Sequence, residues 1–246
     1  MYSYRGININ YKDYGKKNGK AIVYLHGWGQ NIEMMKPIAD PFSDDFNIVI
    51  IDLPGFGLSD EPKTVWTLYD YVECIKYILD ELKIDNPILI GHSFGGKISL
   101  LYSSKYNVKK LVLLASPYRK EIKKESLKLK TLKKLKKVPG INKLEGFAKK
   151  HIGSTDYKNA SDTMRKILVE HVNLDITDEV KKIKCPTLII WGTNDTAVSL
   201  ECAYELEKMI DDAGVVVYEG CTHYAYLERL NQTINVLKSF IGSDEN

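Results

Sequence analysis

Short apolar runs alternate with longer amphipathic segments along most of this 246-residue chain. Several runs are nearly continuous in apolar residues, which is typical of strands buried on both faces of a sheet. Six of them are predicted strands: 21–26 (AIVYLH), 47–53 (NIVIIDL), 87–93 (PILIGHS), 108–116 (VKKLVLLAS), 186–192 (PTLIIWG) and 215–220 (VVVYEG). Residues 2–14 resemble a further pair of strands. The alternation predicts an α/β fold with a mostly parallel central sheet flanked by helices.

Helices are predicted between these strands. Thr67 is an N-cap candidate with Asp70 in the first turn, so a helix should begin there and end near Leu82. Three further helices are expected: Phe94 to about Tyr106, a helix beginning near Ser199, and a closing helix at Tyr224–Ile241.

The interval 117–184 interrupts the alternation. It contains no convincing strand, and its expected helices are punctuated by Pro139-Gly140 and by Gly153. We therefore predict that residues 1–116 and 185–246 form one core, and that 117–184 is a helical cap inserted after the sixth predicted strand.

Residues 91–98 fit two different motifs at a strand-to-helix junction. GHSFG (91–95) matches G-x-S-x-G, the nucleophile elbow of serine hydrolases. Gly91, Gly96 and Lys97 match most of a phosphate-binding loop, but Ile98 stands where that loop needs a hydroxyl group for Mg²⁺. The next strand also ends without a metal-binding aspartate. The elbow is therefore the favoured interpretation, with Ser93 as nucleophile and Lys97 as an ordinary helix residue.

A serine nucleophile needs a general base, and the chain has five histidines. His26 and His92 lie in turns after strands and are expected to be structural. His151 and His171 fall in the cap, where a solvated or packed role is expected. His223 follows the last predicted strand, at the carboxyl edge where the elbow also opens.

Asp195 follows the penultimate predicted strand, in WGTNDTAVS (191–199), and is the candidate that orients the base. Taken separately, Asp195 is typical of a turn-forming residue, and His223 is typical of a helix-capping residue. Together with Ser93, in this order and at strand ends, they predict a catalytic triad. The backbone N–H groups of Phe94 and of Trp28, in LHGWGQN (25–31), are the candidate oxyanion donors.

Five motifs in this order resemble landmarks of the α/β-hydrolase superfamily: HGWG, DLPGFGLSD (52–60), GHSFGG, WGTND and GCTH (220–223). The resemblance extends from about Ala21 to the end, and the insertion falls where that family carries its cap. Thr222 stands where a glycine often precedes the histidine, and Ser199 where a proline often follows the acid loop.

The resemblance implies carboxylic ester hydrolysis through an acyl-enzyme, without a metal or organic cofactor. A serine at the elbow argues against the haloalkane dehalogenase and epoxide hydrolase branches, which use aspartate. A carbon–carbon bond hydrolase of the meta-cleavage type, a thioesterase, and a ligand-binding receptor on a hydrolase scaffold stay open. HGWG also resembles the oxyanion loop of the pimeloyl-carrier methyl esterases, which suggests a carrier-linked ester.

Composition adds one feature, a lysine-rich segment. The net charge of +3 is too small to indicate nucleic-acid binding. The four cysteines are scattered and do not have the spacing of metal ligands. No apolar run is long enough to cross a bilayer. A cytoplasmic protein is expected. Residues 119–150 hold thirteen Lys or Arg and three Glu, a local charge of +10, so the rest carries −7. Either these lysines are solvated above an apolar roof, or they steer an anionic or carrier-linked acyl substrate.

Overall fold

The computed structural model describes residues 1–120 and 160–242. Seven strands over this range form one sheet in the order β3-β5-β4-β6-β7-β8-β9, and β1 and β2 form a separate antiparallel pair. In the main sheet β3 is antiparallel to β5 and all other neighbours are parallel. The strands are β1 Tyr2–Tyr4, β2 Ile7–Ile9, β3 Tyr11–Gly15, β4 Ala21–Leu25, β5 Asn47–Ile51, β6 Ile88–His92, β7 Lys110–Leu114, β8 Thr187–Gly192 and β9 Ala213–Tyr218.

Helices cover both faces of the sheet and bury two apolar clusters. Along β4, Val23 and Leu25 face the cluster that includes α2, α3 and α6, while Ile22 and Tyr24 face the cluster that includes α1 and α8. This two-sided burial explains the continuous apolar runs in the sequence. The helices, numbered over the described residues, are α1 Ile32–Ala39, α2 Leu68–Glu81, α3 Ser93–Lys105, α4 Asp162–Asn173, α5 Thr177–Val180, α6 Leu200–Met209, α7 Ala225–Glu228 and α8 Leu230–Gly242.

The predicted α/β architecture is confirmed, with differences in detail. The N-terminal residues form three short strands instead of two, so the strand before the insertion is the seventh in chain order. The helix α1 was not predicted, and the single closing helix is divided into α7 and α8. The predicted start of α2 is confirmed, because Thr67 and Asp70 form a reciprocal capping box.

The described part of the interval between β7 and β8 contains α4 and α5 and no strand. The Ile176 amide donates to the Tyr118 carbonyl over 3.0 Å, so the beginning and the end of this interval lie together. Residues 121–159, with most of the lysine-rich segment and His151, lie outside the described residues. The boundaries 117–184 of the cap stay a prediction.

Lys97 is not an ordinary helix residue, contrary to the sequence prediction. It is 1% exposed, and its Nζ donates to the carbonyl oxygens of His171 (2.8 Å) and Leu174 (2.6 Å) at the end of α4. An ammonium group at a helix C-terminus satisfies carbonyl groups that have no partner within the helix. Lys97 therefore attaches α4 to α3.

The beginning of α3 packs on the strand ends without side chains between the two backbones. A Cβ atom at Gly95 would lie 2.3 Å from the Leu25 carbonyl oxygen and 2.5 Å from that of His26. The Gly95 amide itself donates to the His26 carbonyl over 3.1 Å. No side chain larger than hydrogen fits at this contact, which fixes where α3 begins.

None of the helices within 1–120 and 160–242 has the length and apolar character required of a membrane span.

We expect Gly95→Ala to lower the free energy of unfolding by about 3 kcal/mol, because the new methyl group can be relieved only by moving backbone atoms. Gly214→Ala in β9 is the matched control, since a Cβ there meets nothing within 4 Å. Urea unfolding of both variants measures the difference. Equal stability of the two variants would contradict the close backbone contact.

Candidate active site

Ser93 occupies a sharp turn between β6 and α3. Its φ angle of +50° lies in the left-handed region, although it carries a side chain. Such a conformation costs of the order of 1–3 kcal/mol and persists where the surrounding packing imposes it. The residue is partly buried at the carboxyl end of β6. Its position and strained backbone are those of a nucleophile elbow.

Asp195 and His223 are joined by a hydrogen bond of 2.7 Å between Oδ2 and Nδ1. The Asp195 side chain is 0% exposed, and its Oδ1 accepts hydrogen bonds from the amides of Ala197 (2.8 Å) and Val198 (2.9 Å). The carboxylate is therefore fixed by the turn that follows β8. Because it accepts the Nδ1 proton of His223, the Nε2 atom is left unprotonated in the neutral ring.

The loop that carries His223 contacts the nucleophile elbow. His92, directly before Ser93, is fully buried, and its Nε2 donates to the His223 carbonyl over 3.1 Å. The two imidazole rings have centroids 4.9 Å apart. Across the described residues the Ser93 hydroxyl makes no hydrogen bond, so direct contact with His223 stays a prediction. In unliganded enzymes this contact is commonly long and tightens with substrate.

Thr222, the departure from the family pattern, fixes the histidine loop. Its amide donates to Glu228 Oε2 over 3.0 Å, and its hydroxyl donates to Glu228 Oε1. The Thr222 hydrogen bond lowers the pKa of Glu228, which stays ionised. A side-chain clamp thus supports the turn before His223 where relatives of this kind often use glycine.

The loop after β4 is held by a neutral histidine. The Leu53 amide donates to His26 Nε2 over 3.0 Å, so His26 Nδ1 carries the proton and donates to the Gly27 carbonyl over 2.7 Å. The Gly27 amide donates to Gln30 Oε1 over 3.0 Å, and Gly29 adopts a φ of +71°. His26 therefore has the structural role that the sequence predicted.

Trp28 and Phe94 lie side by side, and an aromatic cluster surrounds them. Their ring centroids are 5.2 Å apart, and the Phe94 ring is fully buried. We define the aromatic wall as Trp28, Phe56, Tyr71, Phe94 and His171, whose rings contact one another with centroid distances of 4.6–6.4 Å. This wall borders the turn that carries Ser93.

His171 belongs to the aromatic wall, a position that the sequence did not predict. It is packed, as expected, but it packs against the candidate oxyanion residues. Met164, Ile167 and His171 are the buried residues of α4. Their spacing of three and four residues indicates that they lie on one buried face of a helix. The sequence does not predict which residues this face contacts, because that contact depends on how α4 docks on the core.

Burial keeps three histidines near the site uncharged. It lowers the pKa of His26 to about 4 and those of His92 and His171 to about 3. The nearby Lys97 also lowers the pKa of His171. In the described part of the chain, no cluster of three or more His, Cys, Asp or Glu side chains is arranged to hold a metal ion.

Comparisons with known proteins agree with the α/β fold. Residues 20–135 match the family model of the alpha/beta hydrolase fold. The chain is 28% identical to Lipase 1 of Psychrobacter immobilis, with 96% of this chain and 81% of the lipase covered. It is 24% identical to 2-hydroxy-6-oxononadienedioate/2-hydroxy-6-oxononatrienedioate hydrolase 1 of Pseudomonas putida, with 96% and 92% covered.

A solved structure gives the same fold. The esterase EaEST from Exiguobacterium antarcticum superposes with a TM-score of 0.75 at 24% identity, covering 96% of each chain. The chain therefore has the α/β-hydrolase fold, and residues 20–135 match the family model of that fold.

The buried neutral histidines predict a loss of stability in mild acid. Their folded pKa values lie below the ordinary value of 6.5, so the unfolded chain binds protons first as the pH falls. The free energy of unfolding should therefore be greatest above about pH 6.5 and fall toward pH 4, by up to about 1.4 kcal/mol per pH unit for each histidine.

Between pH 7 and pH 5, His171→Phe should lose about 2 kcal/mol less of its free energy of unfolding than the wild-type protein. The reason is that the unfolded variant has one histidine fewer to protonate. Urea unfolding at pH 7, 6 and 5 for both proteins measures it. Parallel pH profiles would show that folding does not lower the pKa of His171.

Proposed function

We propose that the protein is a serine esterase that cleaves a carboxylic ester through an acyl-enzyme intermediate. Ser93 is the nucleophile, His223 the general base and acid, and Asp195 the residue that orients the imidazole. The observation that carries this proposal is the 2.7 Å hydrogen bond between Asp195 and His223, formed beside the strained turn of Ser93.

In the proposed reaction, Ser93 Oγ attacks the carbonyl carbon while His223 Nε2 takes the hydroxyl proton. The buried Asp195 carboxylate stabilises the imidazolium that results. His223 then gives the proton to the departing alkoxide, and the acyl group stays on Ser93. A water molecule, activated by His223, releases the acid and restores the serine. All steps use groups of this chain and water.

The amides of Trp28 and Phe94 are the proposed donors to the tetrahedral oxyanion. Phe94 is the first residue after the nucleophile, in the first turn of α3, where amides lack partners within the helix. Within 1–120 and 160–242 neither amide donates to another group of the chain. Each such donor contributes about 3 kcal/mol to transition-state stabilisation.

A carbon–carbon bond hydrolase of the meta-cleavage type is the second candidate. The observation that favours it is the similarity to the Pseudomonas putida hydrolase along 96% of this chain. The same three side chains would serve, and the lining of the pocket would decide. A receptor without turnover is disfavoured by the oriented Asp195–His223 pair, which small-molecule binding does not require.

We expect the wild-type protein to hydrolyse p-nitrophenyl esters of short or medium acyl chains, and Ser93→Ala to reduce turnover by about 10⁴-fold or more because no nucleophile remains. Ser104→Ala, on the same helix, is the matched control and should retain full activity. Release of p-nitrophenol at each chain length measures both. Turnover that survives Ser93→Ala would refute the mechanism, and cleavage of a meta-cleavage dienoate without ester turnover would favour the second candidate.

The lysine-rich segment supports a further proposal, that the ester is anionic or carrier-linked. Its charge of +10 over residues 119–150 would attract such a substrate from solution. Its residues 121–150 lie outside the described range, so the proposal rests on sequence alone.

Reversing Lys123, Lys124, Lys133 and Lys134 to Glu should lower kcat/KM for an acyl-carrier-linked ester by about tenfold or more at low salt, with a smaller effect at high salt. Kinetics at 20 mM and about 500 mM salt measure this, and an uncharged p-nitrophenyl ester is the control substrate. Rates that are independent of ionic strength would exclude electrostatic steering.

A further inference from the structure

One ring nitrogen of His171 is buried and unpaired in the described part of the chain. The residue is 7% exposed, and its Nδ1 has no hydrogen-bond partner among the described residues. Nearly all buried polar side-chain atoms in proteins are hydrogen-bonded, so an unpaired nitrogen calls for a specific explanation. A water molecule or a bound ligand is the ordinary one.

The ring packs against the two candidate oxyanion residues. It is parallel to the Trp28 ring with centroids 6.4 Å apart, and it meets the Phe94 ring edge-on at 4.6 Å. These are the two residues whose amides are the proposed oxyanion donors. A ligand that binds the His171 ring would therefore lie beside the side chains of Trp28 and Phe94.

His171 is also fixed relative to the nucleophile. Lys97 donates to its carbonyl oxygen over 2.8 Å, and Lys97 is one helical turn after Ser93 on α3. The imidazole thus belongs to α4 but is attached to the helix that begins with the serine. Its distance from the reacting centre is set by the fold and does not depend on a mobile surface loop.

Among the described residues, His171 Nδ1 is the fully buried polar atom of the aromatic wall that has no hydrogen-bond partner. The Tyr71 hydroxyl donates to the Pro54 carbonyl over 3.0 Å, and Phe56 and Phe94 have no polar side-chain atom. The neighbouring His26 uses both ring nitrogens. Trp28, the remaining member, carries an indole N–H, so along the described part of this wall the buried His171 nitrogen is one of two polar groups that can distinguish substrates of similar size.

The charge state restricts what the nitrogen can bind. Burial and the nearby ammonium group of Lys97 lower the pKa of His171 to about 3, so the ring is neutral at physiological pH. A neutral imidazole offers one donor and one acceptor and attracts no anion by charge. It suits a neutral oxygen such as a ketone, hydroxyl or ether.

We propose that His171 is a substrate-binding residue, whose ring nitrogen forms a hydrogen bond with a neutral oxygen carried by the ester near Trp28 and Phe94. This inference rests on the proposed esterase function. It defines the substrate class as esters with a second, uncharged oxygen beside the scissile group, in preference to plain alkyl esters of equal length.

The test uses esters matched in length, one plain and the others with a single keto or ether oxygen at successive positions of the acyl or alcohol chain. We expect wild-type kcat/KM to be at least about tenfold higher for one oxygen-bearing ester than for the plain ester. His171→Phe keeps the ring packing but removes the nitrogens, and should lower kcat/KM for the preferred oxygen-bearing ester by about tenfold while lowering that for the plain ester much less.

His171→Asn is the conservative variant, because its amide group can replace Nδ1, and it should retain most of the preference. No preference in the wild-type protein, or equal losses on plain and oxygen-bearing esters in His171→Phe, would overturn the inference. Circular dichroism checks folding. If His171→Phe does not fold, the same comparison is made between His171→Asn and His171→Leu.

Failure of the esterase proposal gives a different result, namely no Ser93-dependent turnover of any ester. Binding then decides the role of His171. Titration of the ¹⁵N-histidine-labelled protein with 2-hexanone should shift the His171 ring nitrogen resonance, and hexanoate should not. Absence of any shift with the ketone would overturn the inference, whether or not the protein is an esterase.

Discussion

The direct packing of the α3 backbone on the strand ends is the constraint on which the site depends. Gly95 brings the first turn of the helix against the carbonyl groups of Leu25 and His26, at distances that exclude any Cβ atom. The turn before it is then so short that Ser93 must adopt a left-handed conformation. The same contact brings the loop that follows β4 next to the beginning of α3. One backbone approach therefore positions both the candidate nucleophile and the two candidate oxyanion donors.

Parallel pairing of the strands brings the other two groups to the same edge. β8 and β9 are aligned from Thr187 opposite Ala213 to Gly192 opposite Tyr218, so their carboxyl ends coincide. The loops beyond them are joined by a hydrogen bond of 2.8 Å from the Asn194 amide to the Cys221 carbonyl. Asp195 and His223, far apart in sequence, thus meet because each lies a few residues past a strand end. Their hydrogen bond follows from sheet register and two short loops.

Much of this could be predicted from the sequence, and the exceptions have physical reasons. Strands buried on both faces leave long apolar runs, and the placement of Asp195 and His223 follows from strand ends alone. The helix α1 is only eight residues long and contains Pro37, so its periodicity is weak. The prediction that Lys97 is an ordinary helix residue is wrong because a buried lysine is rare. Its partners are backbone carbonyl groups of α4, which no sequence pattern reveals. The contact of His171 with the aromatic wall is likewise a product of docking between segments.

The hydrogen bond between Tyr118 and Ile176 has a consequence for how such a chain can change over time. When the two ends of a segment are held together, a change in the segment's length alters the entropic cost of closing the loop only slightly. Outside α4, which packs on the core, residues between these two positions can therefore be replaced, extended or shortened without altering the register of β7 and β8. The sheet retains the candidate catalytic residues, while the rest of the segment between Tyr118 and Ile176 is free to diversify.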